Sequence, residues 1–393
     1  MRSDPAVLFL MKLSPFARTI IVTSGAVLIH LSLGTYHTFG NMLPYMASFM
    51  KNFTDSSISE EKLIWIPNFQ GCFPFAMVIG GSLNSRTNAR VAAFVGCFFM
   101  TLGTLLTFWT IQMSFSLFLI TYGIMFGLGQ GMAYVITMSV AINWARDHIG
   151  LISGIVAAGF GISSSVFTPI QTLLINPMNY KPTKSGYFTE KELTSRVPSV
   201  FYILAIIYTF MQLLGLLVIC DPPDVSSSAD DQRSDDNNND DDIIPPGLAK
   251  AADNRSMKTI DVTYGETFID DDIFLAFAFS ACSFLNAVAR IGWGFLVDRI
   301  GFQVEVVCIR IILLFYLVCL AFATFLATLL LISMPLASFG GKWMYFIWMC
   351  SMFICMACTH ASFITATIRC FGTKNKSLNY GFLILSTTYI TAT

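Results

Sequence analysis

The chain has 393 residues, of which 12% are charged and 55% hydrophobic, a mean hydropathy of +0.66 and a net charge of −1 at pH 7. Soluble domains carry about 25% charged residues, so this composition excludes a soluble protein and predicts one that crosses the lipid bilayer several times. The sequence has no basic run interleaved with aromatic residues, which excludes nucleic acid as an expected partner.

Six apolar segments in the first 220 residues predict six transmembrane helices. They cover residues 19–50, 63–83, 91–110, 116–143, 149–175 and 199–220. Basic residues precede the first segment and follow the second, namely Arg2, Lys12, Arg18, Arg86 and Arg90. By the positive-inside rule, the N-terminus and the turn after the second helix are cytoplasmic. Glycines at every fourth position in the fourth and fifth segments predict that these two helices pack closely together.

The first segment carries a polar stripe on one helical face, formed by Thr23, His30, His37 and Asn41. Two histidines in one membrane span fit two interpretations, hydrogen bonding between helices or the lining of a cavity with a proton relay. The neighbouring Tyr36 is a further candidate for such a cavity. So is Tyr134, which lies on the polar face of the fourth segment.

Residues 221–272 differ abruptly in composition from the rest of the chain. They are rich in Asp and Asn and hold too few apolar residues to form a core. We interpret them as a disordered, acidic cytoplasmic linker between a first half, residues 1–220, and a second half, residues 273–393. A tether between the halves is the simpler role, and a regulatory or partner-binding role is the alternative.

The sequence contains no motif typical of an enzyme. Its ten cysteines lie within or beside apolar segments and have no histidine or cysteine partners at zinc spacing, so they predict neither a metal site nor a disulfide framework. There is no nucleophile elbow and no phosphate-binding loop. We therefore expect a protein without catalytic activity and without cofactors.

Arg290 lies inside an otherwise apolar segment of the second half, residues 273–297. A guanidinium at the centre of a bilayer costs roughly 3 kcal/mol, so it needs a reason to be there. It either binds an anion or snorkels to the cytoplasmic interface. Helical spacing places four residues on one face, which is expected to meet protein or water: Ser283, Asn286, Arg290 and Gly294. A later segment carries His360, a candidate for a weak second donor.

The two halves share a short repeat. Gly81-x-Leu83-x-x-Arg86 follows the second segment, and Gly294-x-Leu296-x-Asp298-Arg299 follows the segment of Arg290. Two segments precede the first turn but only one precedes the second, so one helix of the second half is expected to be missing. A last apolar run from Tyr380 is too short to span. Counting spans places the second turn outside the cell, whereas its similarity to the first turn favours the cytoplasmic side.

The turn Gly294-Phe-Leu296-Val-Asp298-Arg299-Ile-Gly301, the six-helix half and the linker resemble the major facilitator superfamily. Within it, three motifs resemble the oxalate/formate antiporter and monocarboxylate transporter branch. They are Leu33-Gly34-Thr-Tyr36-His-Thr-Phe39-Gly40-Asn41-Met-Leu-Pro44, Asn286-x-x-x-Arg290-x-Gly292-Trp293-Gly294 and Asn379-Tyr380-Gly381. The resemblance implies an all-α, polytopic helical bundle that lacks one helix of its second half and stops near the eleventh. It also implies residence in a plasma membrane or, alternatively, an organellar membrane.

The resemblance further implies transport of small organic anions by alternating access, with Arg290 pairing with a substrate carboxylate and Asn286 orienting it. The implied lining of the substrate cavity is His37, Tyr36, Tyr134 and His360. The implied conformational turns comprise Gly81, Arg86, Gly294, Asp298 and Arg299. Proton symporters of the branch carry an aspartate where this chain has Asn286 and a first-helix lysine where we align Asn41. The alternatives are a transporter of another solute and a truncated isoform that does not transport.

Overall fold

The computed structural model describes residues 4–55, 58, 60–71, 73–178, 180, 187–223, 272–304, 309–337, 340–371 and 377–384. Regular structure in these residues is helical throughout, which confirms the all-α class. Most of the predicted acidic linker, residues 224–271, lies outside the described residues, so its predicted disorder stays a prediction.

Helices of the first half follow the predicted segments closely. Their bounds are α1 Pro5–Met11, α2 Pro15–Leu33, a 3-10 turn Gly34–Thr38, α3 Phe39–Phe53, α4 Glu60–Leu63, α5 Trp65–Gln70, α6 Phe73–Arg86, α7 Ala89–Met113, α8 Phe115–Phe118, a π-helical stretch Leu119–Met125, α9 Phe126–Asn143, a 3-10 turn Arg146–His148, α10 Ile149–Ile175 and α11 Lys191–Val218. The second half contains α12 Asp272–Val304, α13 Ile309–Ala337, α14 Gly341–Phe371 and α15, residues 377–384.

Seven of the described helical stretches are long and apolar enough to cross a membrane. They are Pro15–Phe53, Ala89–Met113, Phe115–Asn143, Arg146–Ile175, Lys191–Val218, Phe277–Arg299 and Gly341–Cys358. The sixth predicted segment begins earlier than expected, because α11 starts at Lys191 and continues through Pro198. The second predicted segment is divided into α5 and α6 near Gly71, and Pro74 occupies the first turn of α6, where a missing N–H is harmless.

The two halves meet along α10 and α12, which run antiparallel. Near the start of α10, the Gly150 amide donates to Asp298 at 2.8 Å. Fifteen residues further along α10, the Ser165 hydroxyl donates to the carbonyl of Ser280 at 2.9 Å. As the residue numbers of the contacts rise along α10, those of their partners on α12 fall. Helix α12 therefore runs towards the end of the bundle at which α10 begins.

This direction decides where the second turn lies. Arg90, just after the first turn, donates from Nε to the carbonyl of Ile219 at 3.0 Å, and Trp144, just before α10, donates to the carbonyl of Cys220 at 2.6 Å. The first turn, the end of α11, the start of α10 and Asp298 therefore share one end of the bundle. The prediction that the second turn lies on the same side as the first turn is therefore confirmed. The prediction from counting spans, which put the second turn on the other side, is wrong.

Helix α12 consequently begins at the opposite end of the bundle from the end of α11. Asp272 precedes Asp298 by 26 residues, or about 39 Å at the helical rise. Counting the segments placed the end of α11 and the start of α12 at the same end, which is why it gave the wrong side for the second turn.

The glycine repeats of the fourth and fifth segments pack against other helices than predicted. A Cβ atom on Gly127 of α9 would lie 2.8 Å from the Cα of Gln70 in α5, and one on Gly154 of α10 would lie 2.6 Å from the carbonyl oxygen of Arg290 in α12. The two helices touch where Tyr134 meets Phe160, but these glycines pack against α5 and α12, so the prediction that they bring the two helices closely together is wrong. Small residues show that some backbone comes close, but they do not say which one.

A candidate substrate site around Arg290

Arg290 is buried where α10, α12 and α14 meet. Its side chain is 1% exposed, Nε donates to Oδ1 of Asn286 at 3.0 Å, and Nη1 donates to the carbonyl of Ala157 in α10 at 2.8 Å. Asn286 donates in turn to the carbonyl of Phe353 in α14. The guanidinium is therefore held between helices of both halves and does not reach towards the membrane surface.

Glycine on α10 makes room beside the guanidinium. A Cβ atom on Gly161 would lie 3.4 Å from Cζ of Arg290 and 3.5 Å from Oδ1 of Asn286. These are ordinary van der Waals distances, so glycine lets the backbone of α10 approach the guanidinium, whereas a larger side chain would press against it.

Arg290 has no acidic partner in the part of the chain that the structure describes. The ion pairs found there join Arg90 to Asp4 and Arg196 to Glu192. The groups in electrostatic contact with Arg290 are the imidazole of His30 and the phenols of Tyr134 and Tyr380, and none of them is an acid that could pair with it at neutral pH. A buried cation without a counter-charge is costly, and a bound anion would offset that cost.

An aromatic cluster lies beside the guanidinium on the side of the first half. His30 of α2 contacts Tyr134 of α9 with ring centroids 4.6 Å apart, and Tyr134 meets Phe160 of α10 at 5.3 Å. Phe160 contacts His37 at 5.0 Å, and His37 contacts Tyr36 at 5.2 Å. The polar stripe of the first segment therefore faces the centre of the bundle at His30 and His37.

The structure brings together most of the candidates named from sequence. Arg290, Asn286 and Tyr134 lie at one place, and His37 and Tyr36 are joined to them through Phe160. The candidate His360 lies in α14, but its side chain is outside the described residues.

Asn41 lies apart from Arg290. Its amide donates to the hydroxyl of Thr172 at 3.2 Å, far along α10 from Ala157, which accepts from Arg290. The predicted counterpart of a first-helix lysine therefore does not reach the guanidinium.

Two further residues join the cluster that the family resemblance did not imply for the substrate cavity. His30 belongs to the predicted polar stripe, and its seven-residue spacing from His37 was the available signal. Tyr380 belongs to a recognised motif and interacts with both Tyr134 and Arg290. Nothing in the sequence indicated that residues 350 positions apart, such as His30 and Tyr380, would lie around one arginine.

The second turn caps a helix of the first half. Asp298 accepts from the amides of Gly150 and Leu151 at 2.8 and 2.7 Å, which are the unpaired donors at the start of α10. A carboxylate at a helix N-terminus is also favoured by the helix dipole. A Cβ atom on Gly150 would lie 2.5 Å from the carbonyl oxygen of Gly294, so the two backbones touch here.

The first turn makes a similar backbone contact but no such cap. A Cβ atom on Gly81 would lie 2.9 Å from the backbone nitrogen of Leu378 in α15. Ser85 occupies the position that corresponds to Asp298, and its hydroxyl bonds to Ser82 within its own helix. The halves are thus joined at one end by two turns, of which the second carries the carboxylate. The arginines of both turns, Arg86 and Arg299, are exposed.

A multi-pass helical bundle whose two halves meet around a buried polar site is the architecture of a secondary membrane transporter. The profile of the Major Facilitator Superfamily matches residues 25–388, and the chain belongs to this family.

Two relatives come from Toxoplasma gondii. Apicoplast pyruvate carrier 2 is 27% identical over 247 residues, which is 51% of this chain and 37% of the relative. Apicoplast pyruvate carrier 1 is 21% identical over 453 aligned positions, covering 93% of this chain and 80% of the relative. The chain thus spans about a third of the first relative's length and four fifths of the second's.

Solved structures show the same fold. FucP, the fucose:proton symporter of E. coli, aligns in its outward conformation with a TM-score of 0.60 and 15% identity, over 95% of this chain and 91% of FucP. The xylose transporter XylE from E. coli, in a partially occluded inward open conformation, aligns with a TM-score of 0.55 and 11% identity, over 96% of this chain and 90% of XylE. At these identities the similarity concerns the fold alone.

Proposed function

We propose that the protein is a secondary transporter of small monocarboxylates and that Arg290 binds the substrate carboxylate. The observation that carries this proposal is a fully buried guanidinium without an acidic partner among the described residues. An anionic substrate supplies the missing charge, whereas a neutral sugar does not.

The hydrogen bonding of the guanidinium supports a carboxylate ligand. Nε and Nη1 donate to Asn286 and Ala157, and Nη2 donates to no described residue. Arginine has five N–H donors in a planar fork, so donors are left for a carboxylate after these two bonds.

The number of cations supports a monocarboxylate over a dicarboxylate. An oxalate-like dianion is best held by two cations, and no second Arg or Lys acts on Arg290 within the described part of the site. The two relatives named as pyruvate carriers agree with a single carboxylate. The family resemblance also allows oxalate as a substrate, and we favour a monocarboxylate over oxalate for this reason.

The proposed mechanism is a rocking motion of the two halves about the site. Arg290 belongs to the second half but donates to Ala157 of the first, so its hydrogen bonds change when the halves separate. The Asp298 cap on α10 and the glycine contacts close one end of the bundle, so this end is expected to open when the opposite end closes.

Uptake of labelled pyruvate into proteoliposomes tests the proposal. Replacing a buried, hydrogen-bonded charge partner costs about 2–5 kcal/mol, so Arg290→Ala should weaken apparent affinity about 30-fold or more. Arg290→Lys keeps the charge but loses the fork, so its loss should be smaller. Arg146→Ala, at an exposed position of the loop before α10, is the matched control and should transport normally.

The same assay separates the alternatives. Excess lactate should compete with pyruvate, whereas fucose and xylose should not. Competition by a sugar, together with normal uptake by the Arg290→Ala protein, would show that the substrate is another solute and that Arg290 is structural. An absence of any uptake by the correctly inserted parent chain would instead support the non-transporting alternative.

A further inference from the structure

His30 is a buried histidine whose proton can be assigned from its neighbours. Its side chain is 0% exposed, and Nδ1 lies 2.9 Å from the carbonyl oxygen of Ala26, which only accepts hydrogen bonds. The hydroxyl of Thr137, 3.3 Å from the same nitrogen, donates its own proton to the carbonyl of Ala133 at 2.7 Å and so must also accept. Nδ1 therefore carries the proton, and Nε2 carries a lone pair.

The lone pair on Nε2 has no partner among the described residues, although it is buried. Unsatisfied polar atoms in protein interiors are uncommon and call for an explanation. The contact of Nδ1 with Thr137 would be enough for a purely structural role, in which His30 joins α2 to α9. The free Nε2 is what distinguishes this histidine from one that merely joins helices.

The charged and titratable groups around His30 are few. The ring of His30 contacts the Tyr134 phenol of α9, and Tyr134 in turn interacts with the Tyr380 phenol of α15. From α12, Arg290 acts electrostatically on His30. From α10, Phe160 lies beside Tyr134 and does not titrate, and from α11 the amide of Gln212 donates to Ser32 in the same helix as His30. His37 lies two helical turns further along the same span. Arg290 is therefore the one permanent charge that acts on His30 in the described part of the protein.

Two positive charges in one buried site repel each other, so the empty site favours neutral His30. A carboxylate bound to Arg290 cancels its charge and removes that repulsion. Binding of the anion then favours a proton on Nε2, and by reciprocity a proton on Nε2 favours the anion.

We propose that His30 is the proton-coupling site of this transporter. Nε2 accepts one proton from water when the carboxylate binds Arg290, and the proton and the anion leave together on the other side of the membrane. One anion and one proton move per cycle, so no net charge crosses. This inference rests on the proposed function, and it assigns the coupling proton to His30 because Asn286 and Asn41 are amides, which do not titrate.

Proton uptake on binding tests the proposal with the parent protein. Pyruvate added to the purified protein in weakly buffered solution should raise the pH, with uptake approaching one proton for each pyruvate bound. His30→Gln should bind pyruvate without proton uptake, since an amide can donate to Ala26 but cannot titrate. Pyruvate binding without proton uptake by the parent protein would overturn the proposal, and the result would not depend on whether the variant folds.

The pH dependence of transport gives an independent test. Apparent affinity of the parent protein for pyruvate should rise as pH falls, by up to about tenfold per unit for one linked proton. His30→Gln should flatten this profile, while His148→Gln, at an exposed position, should keep it. An unchanged profile in a correctly inserted His30→Gln protein would overturn the role of His30. Failure of the proposed function would look different, since the parent protein would then take up no pyruvate, or Arg290→Ala would take it up as well as the parent protein.

Discussion

Asn286 and Arg290 form one unit, in which the amide positions the guanidinium. Asn286 accepts from Nε of Arg290 with its oxygen and donates to the carbonyl of Phe353 with its nitrogen. The amide is thereby fixed by the backbone of α14, and it fixes the guanidinium in turn. An amide can do this without adding a negative charge, so Arg290 keeps its full charge for a ligand.

Asn286→Asp tests this interpretation. The substitution places a carboxylate about 3 Å from Nε, where it pairs with Arg290 and competes with the substrate. We expect apparent affinity for pyruvate at pH 7.5 to fall by about tenfold or more, since a close buried ion pair is worth at least about 1.5 kcal/mol. The loss should shrink at pH 5.5, because protonation of the new carboxylate releases Arg290.

Uptake at a series of pyruvate concentrations, measured at both pH values, gives the result. Asn286→Ala is the matched control, which removes the amide without adding a titratable group and should lose affinity at both values. Equal affinity of the Asp variant and the parent protein at pH 7.5 would contradict the pairing.

Close backbone contact between α10 and α12 is what places Ala157 within reach of Arg290. Glycines on α10 and α12 let the two helices touch, so the carbonyl of a first-half helix can accept a bond from a second-half arginine. The same contact is the path along which the halves must slide or separate during transport.

Gly154→Ala is expected to disturb this contact. Its Cβ atom would lie 2.6 Å from the carbonyl oxygen of Arg290, which is backbone and cannot rotate away. Overpacking of this kind costs about 1–3 kcal/mol, so we expect a melting temperature lower by several degrees in detergent, together with reduced pyruvate uptake.

Gly292→Ala is the matched control for Gly154→Ala. It lies on α12 itself, and a Cβ atom there meets nothing within 4 Å. Its melting temperature should equal that of the parent protein. A Gly154→Ala protein as stable as this control would show that α10 and α12 are farther apart than described.

In the molecule as a whole, both repeated turns lie at one end of the bundle. Asp298 caps α10 at this end, and Trp144 and Arg90 tie the end of α11 to it. Helices α12 and α14 run in the same direction, because Cys282 lies 3.5 Å from Cys350 and Asn286 bonds to Phe353. The start of α14 therefore lies at the opposite end from Asp298.

Labelling of single introduced cysteines tests this topology. An impermeant thiol reagent should label Arg299→Cys from the same side of the membrane as Arg146→Cys, and Lys342→Cys from the other side. All three positions are exposed. The parent chain, with its own ten cysteines, supplies the background. Labelling of Arg299→Cys and Lys342→Cys from one common side would contradict the described direction of α12.

The helices and the main candidate of the site could be predicted from local sequence. Long apolar segments predict spans because a bilayer core requires about 20 apolar residues in a helix. The four-residue spacing of Asn286 and Arg290 places them on one face, where the structure shows their hydrogen bond. The cost of a charge within an apolar span is enough by itself to single out Arg290.

The partners of these residues depended on tertiary structure. Helical periodicity shows which side of a helix is polar or small, but it carries no information on which distant segment will cover that side. The glycines of α9 and α10 therefore found other helices than predicted, and Asn41 lies away from Arg290, against Thr172. His30 joined the site because α2, α9 and α12 converge at one depth of the bundle. The direction of α12 became clear only from its contacts with α10. The number of apolar segments in a sequence determines neither the depth at which helices meet nor the direction in which each one runs.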